Sequence, residues 1–414
     1  MTTPSEQNKE TIPDGFSRYQ IFVIAILAVS VFTVVLDFMV LSPLGAQLLR
    51  LLNIETSEFG LVVSVYAFSA GASGLLVAGF ADKFDRKKML LFFYAGFIIG
   101  TLFCGLSTSY TTLLFARVIT GLFGGVISAI SFAIITDMFP MQKRGRVMSY
   151  VQLSFSVSQV AGIPIGLYLA HVYDWHAPFI AIVILATIVF FAILKFLKPI
   201  NKHIGLYHDK NAFVHLWHTL SNKNYLKGFS TTALLSLGGF MLMPFSSAFL
   251  VNNIKITESE LPLIFMFTGI STMITGPFIG KLADRLGKLT MFTFGTVVSI
   301  IMCAMYTNMT PMSVVWVIVI NSILFIGITS RMISGSALMT AVPLPQDRGA
   351  FMGINSSIQQ LSGGIASLCA GLIVKKASDN SLVHFNWLGM VVIVTMIACL
   401  FMMKRVSDMI KARG

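Results

Sequence analysis

The chain has 414 residues, of which 56% are hydrophobic and only 11% charged, with a mean hydropathy of +0.82. Soluble domains carry about 25% charged residues, and a soluble fold of this size has no interior able to hide so much apolar surface, so the solvent must be lipid. The formal net charge of +12 would suit a nucleic-acid binder, but Lys and Arg sit in short clusters between apolar runs, which fits loops at an anionic membrane leaflet and excludes nucleic acid as the partner.

The N-terminal tail, 1–19, is polar and carries both signs of charge. It lacks the charged-then-apolar pattern of a cleaved signal, so the first apolar run is expected to remain as a span. Runs long enough to cross a hydrocarbon core of about 30 Å fall at 20–45, 57–80, 88–107, 111–138, 147–171 and 177–197. Together they make an N-terminal six-helix half over 20–197. A polar cytoplasmic linker follows over 198–227. Within it Ala212, Phe213, Leu216, Trp217 and Leu220 recur at helical spacing, which predicts an amphipathic helix lying on the membrane surface. Four of the seven histidines (His203, His208, His215, His218) are here without cysteine companions, and no metal site is expected. The second set of runs, 228–251, 259–282, 289–307, 312–341, 349–374 and 385–403, makes a C-terminal six-helix half over 228–403, and 404–414 is a second tail. Cys104, Cys303, Cys369 and Cys399 all lie inside apolar runs and read as small packing residues, not as a disulfide framework.

Lys and Arg orient the spans. With the N-terminus inside, 23 of the 29 fall in inner segments and four (Arg50, Lys255, Lys375, Lys376) in outer ones. That bias places both termini in the cytoplasm of a cell whose plasma (inner) membrane the chain crosses twelve times. The chain also repeats. Ala81-Asp82-Lys83 after span 2 matches Ala283-Asp284-Arg285 after span 8, and Arg144-Gly145 after span 4 matches Arg348-Gly349 after span 10, at nearly one offset. An all-α membrane protein of two parallel six-helix halves related by a pseudo-two-fold axis follows, with a substrate site expected between them near the bilayer midplane.

Gly280, Leu282, Ala283, Asp284, Arg285, Gly287 and Lys288 resemble the loop motif of the major facilitator superfamily. Asp82, Lys83, Arg86 and Lys87 repeat it in part, with Ala78 and Asp85 where glycines are usual. An Asp at a helix end can take a neighbouring helix N-terminus or a basic side chain as partner. The resemblance therefore implies a cytoplasmic gate of Asp82, Arg86, Lys87, Asp137, Arg144, Gly280, Asp284, Arg285, Gly287, Lys288 and Arg348, with Asp137 as partner of Arg86. The alternative is a solvated basic loop. Arg117 followed by Gly121, Gly124 and Gly125 in span 4 resembles the superfamily's second motif, whose arginine is implicated in proton coupling in antiporters. Gly162-Ile163-Pro164-Ile165-Gly166 in span 5 resembles a shortened antiporter bend. The resemblance covers nearly the whole chain and points towards the twelve-span drug:proton antiporter branch.

Ionisable groups inside spans are expensive and mark a pathway or a pair. Asp37 in span 1 and Arg117 in span 4 are expected at similar depth, so Asp37 is the expected protonation site, its charge balanced between burial and Arg117. A static ion pair joining spans 1 and 4 is the alternative. Arg331 in span 10 has no acidic neighbour in its span and is a candidate substrate contact, as are Tyr66, Gln152, Gln159, Asn321, Asn355, Gln359 and Gln360. The polar side chains could instead bond between helices. No phosphate-binding loop, zinc spacing or nucleophile elbow is present, so neither an enzyme nor a cofactor is expected. The leading expectation is a monomeric, proton-coupled antiporter exporting a small molecule (drug, sugar or metabolite). The alternatives are an uptake symporter for a nutrient, organic anion or siderophore, and a non-transporting membrane sensor, for which gating loops in both halves would be needless.

Overall fold

The computed structural model describes residues 15–78, 83–201, 212–344 and 347–412, with only the backbone described for 78 and 212–216. The N-terminal half contains α1 (Arg18–Val40), α2 (Gly45–Leu51), α3 (Thr56–Ala78), α4 (Arg86–Leu106), α5 (Tyr110–Gly124), α6 (Ile127–Met138), α7 (Met141–Val157), α8 (Ile163–Val172) and α9 (Ala177–Phe196). After α10 (Ala212–Ser221) in the linker come α11 (Lys223–Phe240), α12 (Ser246–Asn252), α13 (Leu261–Leu286), α14 (Lys288–Thr307), α15 (Val314–Met339), α16 (Arg348–Ile373) and α17 (Phe385–Lys411). A two-residue hairpin, β1 (Lys375–Lys376) with β2 (Leu382–Val383), joins the last two.

Eleven helical segments among the described residues are long and apolar enough to cross a membrane. α5 with α6, α7 with α8, and α11 with α12 each count as one broken span. The twelfth span is α16. Its 26 residues are ample for a crossing, but Asn355, Gln359, Gln360 and several serines make it the most polar of the set. Outward faces are apolar at helical spacing, as on α9 (Ile184, Ile188, Phe191) and α17 (Trp387, Val394, Phe401). Such stripes are tolerable only against lipid, where helices satisfy their own backbone groups.

Local chemistry sets the helix ends. Ser17 accepts from the Gln20 amide while Gln20 Oε1 accepts from the Ser17 amide, a reciprocal cap that starts α1. Pro164 has no N–H to give to the previous turn. The chain widens there into a π turn, Ser158–Gly162, before α8.

The halves meet along two seams, α3 against α16 and α13 against the π turn and α8. In the first, a Cβ on Gly60 would lie 2.8 Å from the Ser367 carbonyl oxygen, so a side chain there would drive the halves apart. Ser64 Oγ donates to the Gly364 carbonyl at 2.8 Å across the same seam. On the face opposite the chain ends, α2 meets α12, and Glu258 accepts from Gln47 Nε2 at 2.9 Å and pairs with Arg50 at 3.0 Å.

Candidate functional site

Four helices converge on one ion pair. Gly121 lets α5 approach α3 so closely that a Cβ there would collide with the Tyr66 carbonyl oxygen. Gly100 of α4 lies against the backbone of Thr120 in the same way. That spacing carries Arg117 to Asp37. Arg117 Nη1 donates to Asp37 Oδ2 at 2.8 Å, and both side chains are wholly shielded. Thr101 Oγ1 of α4 donates to the other carboxylate oxygen at 3.3 Å. The guanidinium carbon stands 4.4 Å from the Tyr66 ring centroid, a cation–π contact. Nε and Nη2 of Arg117 have no hydrogen-bond partner among the described residues. The pair is thus joined through one nitrogen only and keeps donors in reserve. Phe38, next to Asp37 in the chain, packs on Tyr66 at 5.2 Å and on Phe240 of the other half at 6.1 Å. The antiporter-like bend backs the same helix: Gly162 packs on Leu36, next to Asp37, and Gly166 on Val40, about one turn further along α1, while Pro164 lies in the first turn of α8.

A cavity lies between the halves. Its walls include Met39, Leu242, Met243, Phe265, Leu324, Phe325 and Ile328, with Gln159, Thr268, Tyr306 and Asn321 as polar members. Asn321 Nδ2 donates to Thr268 Oγ1 at 2.8 Å, and Thr272 Oγ1 reaches Gln159 Oε1 at 3.4 Å across the α13 seam. Ser246 and Tyr306 hydroxyls share a 2.7 Å bond.

The remaining candidates are placed elsewhere. Tyr66 belongs to the ion-pair cluster. Arg331 is buried inside the C-terminal half, its guanidinium 5.6 Å from the Phe292 ring, and it does not line this cavity. Asn355 Oδ1 accepts from Thr232 Oγ1 at 2.7 Å, which ties α16 to α11. Gln152 is exposed, while Gln359 and Gln360 are half-buried on α16. Thr101, Thr268, Ser246 and Tyr306 were not singled out from the sequence. Nothing distinguishes such hydroxyls in an apolar run until their helix neighbours are known.

On the face that carries the chain ends, the two halves differ. Asp82 lies outside the described residues. Arg86 is paired with Asp137 at 3.0 Å. Lys87 Nζ donates to the Leu194 carbonyl at 2.9 Å. Arg144 donates to the Thr136 and Phe139 carbonyls at 2.7 and 2.9 Å, satisfying oxygens at the end of α6. Asp85, standing where the loop motif has glycine, caps α4 through the Lys88 amide at 3.1 Å and accepts from the Ile200 amide at 2.9 Å. In the second half Gly287 takes φ +97° between α13 and α14, which favours glycine. A Cβ on Gly280 would meet nothing within 4 Å. Asp284, Arg285 and Arg348 are exposed, Lys288 is half-buried, and none of them makes a side-chain hydrogen bond or ion pair among the described residues.

The Major Facilitator Superfamily model matches residues 27–230 and 228–410. An uncharacterized MFS-type transporter, YwfA, of Bacillus subtilis is 29% identical over 153 residues, 37% of this chain and 37% of that relative's own length. A bicyclomycin resistance protein homolog of Haemophilus influenzae is 24% identical over 388 residues, 90% of this chain and 93% of that one. Among solved structures, a bacterial homolog to the human lysosomal transporter Spinster, in an inward-facing and occupied conformation, matches with a TM-score of 0.74. It shares 15% identity, over 95% of this chain and 98% of that one, a likeness of fold alone.

Proposed function

The chain belongs to the Major Facilitator Superfamily and is a secondary transporter that spans the membrane many times, and from that premise we propose that it is a proton-coupled antiporter that exports a small molecule by alternating access. The observation that carries the reading is the wholly shielded Asp37–Arg117 pair. A transporter has little reason to hold a carboxylate at that depth unless its charge is used, because replacing a buried pair by apolar side chains is often neutral or stabilising. In this reading Asp37 is ionised while Arg117 faces it. A rearrangement of α1 against α5 separates the two, and Asp37 then takes a proton. Arg117 can turn its unspent Nε and Nη2 donors elsewhere while Tyr66 continues to support the cation.

Export is supported by the antiporter-like bend packed on α1 and by the drug-resistance relative, which is named for bicyclomycin resistance. The engaged charges around Arg86, Asp137 and Arg144 form the cytoplasmic gate of the N-terminal half, with both termini in the cytoplasm. Asp284, Arg285 and Arg348 are the corresponding gate group of the C-terminal half, exposed in this conformation.

The test is proton movement in proteoliposomes carrying an internal pH dye, challenged with a panel of drugs, sugars and organic anions. Protons moving against the added compound support antiport. Protons moving with it would make the protein a symporter.

A further inference from the structure

Among the described residues that line the cavity between the halves, Asn321 holds a buried side-chain acceptor with no donor. Asn321 is 1% exposed, and its Oδ1 has no hydrogen-bond partner among the described residues. The orientation of that amide is fixed by its neighbour. Thr268 Oγ1 has a single proton, which it gives to the Ile264 carbonyl at 2.7 Å. It can therefore only accept from Asn321, so the atom 2.8 Å away must be the amide nitrogen. Oδ1 is left as a held, buried acceptor on a residue that lines the cavity. An unmade hydrogen bond at such an atom costs about as much as its full desolvation, so the site is poised for a ligand that donates.

The rest of the wall limits the ligand's charge. None of the described residues lining the cavity is charged. The nearest buried carboxylate, Asp37, is already paired with Arg117. Arg331, one turn beyond Ile328 on α15, is buried against Phe292 and does not line the cavity. A charge brought here would lose its hydration without gaining a partner. Met39, Leu242, Met243, Phe325 and Ile328 instead offer apolar contact.

We propose that this cavity binds an uncharged molecule with an apolar body and one hydroxyl or N–H group, which donates to Asn321 Oδ1. The proposal rests on the transporter reading above, since it names the class of substrate for that cavity.

The test uses four probes built on one ring system: 2-naphthylethanol, its methyl ether, 2-naphthylacetate and 2-naphthylethylammonium. Each is measured by equilibrium dialysis against the full chain in lipid nanodiscs, with empty nanodiscs as blank. The alcohol is expected to bind about tenfold tighter than the ether, because only the alcohol satisfies the acceptor, and tighter than either ion. Asn321→Leu should erase the difference between alcohol and ether. Thr268→Val, which frees the amide to rotate, should reduce it while leaving Asn321 in place. Tighter binding of either ion, equal binding of alcohol and ether, binding of none of the four, or a preference that survives Asn321→Leu overturns the proposal. The assay needs no proton gradient. Proton exchange without this binding profile would refute the ligand class alone, and this profile without proton exchange would refute antiport alone.

Discussion

Arg117 reaches Asp37 through a single nitrogen, 2.8 Å from Oδ2, with both side chains closed off from solvent. Two further facts give the contact its meaning. The arginine keeps two nitrogens without hydrogen-bond partners among the described residues, and its charge rests on the Tyr66 ring. A pair built only for stability would be expected to use more of the fork that a guanidinium offers a carboxylate.

Removing one member of the pair should be worse than removing both. Arg117→Leu leaves a buried carboxylate with only Thr101 beside it and should cost about 3–5 kcal/mol of stability. Adding Asp37→Leu should recover most of that loss. Thermal unfolding of the two variants in one detergent checks the order. Equal or greater loss in the double variant would show that the pair is not held by mutual charge.

Gly121 sets the distance between α5 and α3. Because the obstructing atom is the Tyr66 backbone oxygen, no side chain can turn aside to make room. Gly121→Ala should cost about 1–3 kcal/mol and lower transport by misplacing Arg117. Gly280→Ala, where the added carbon would meet nothing, should leave stability unchanged or raise it by about 0.5–1 kcal/mol, since alanine is the better helix residue. Paired melting curves test the contrast.

The Arg86–Asp137 bond is largely sheltered, with side-chain exposures of 7% and 18%. Arg86→Asp and Asp137→Arg should each place two like charges at that contact and abolish most transport. The double exchange should restore part of it, because the attraction survives reversal. If the double variant is as inactive as the singles, these residues matter through partners other than each other.

On the opposite face, Glu258 gathers both Gln47 and Arg50 across the halves. The arginine is well exposed, so the contact should be worth no more than about 1 kcal/mol. Glu258→Ala should therefore raise the maleimide labelling rate of a cysteine at Ser247, which is buried beside Ser42, by no more than about fivefold. No change would mean that the apolar seams alone hold that face shut.

Much of the fold could be read from the chain, because apolar runs of span length and the repeated Ala-Asp-Lys/Arg and Arg-Gly loops are local signals. Asp37, Arg117 and Arg331 stood out because an ionisable residue in an apolar run is conspicuous. What stands beside them was not legible. Whether Arg331 meets the cavity or Phe292 depends on helix rotation, and a few tens of degrees decide it. Gln152, Gln159 and Asn321 looked alike as polar residues in spans, yet the first is exposed, the second is half-buried on the cavity wall and the third is buried there. The role of Thr268 in fixing the Asn321 amide needs two helices to be in register, which no single run of sequence reports. Asp85 departs from the loop motif for a local reason, because it caps α4.

Whether Asp37 couples protons to transport is decided by the Asp37→Asn variant in proteoliposomes, using the compound that gives the largest pH-dye signal with the native protein. Two rates are compared: movement driven by a pH gradient, and one-for-one exchange of labelled for unlabelled compound without a gradient. Loss of gradient-driven movement with exchange intact is expected, since the amide can still hold α1 in place but takes up no proton. Full gradient-driven movement in the variant would exclude Asp37 as the coupling group and leave Asp37 and Arg117 as a structural tie between α1 and α5.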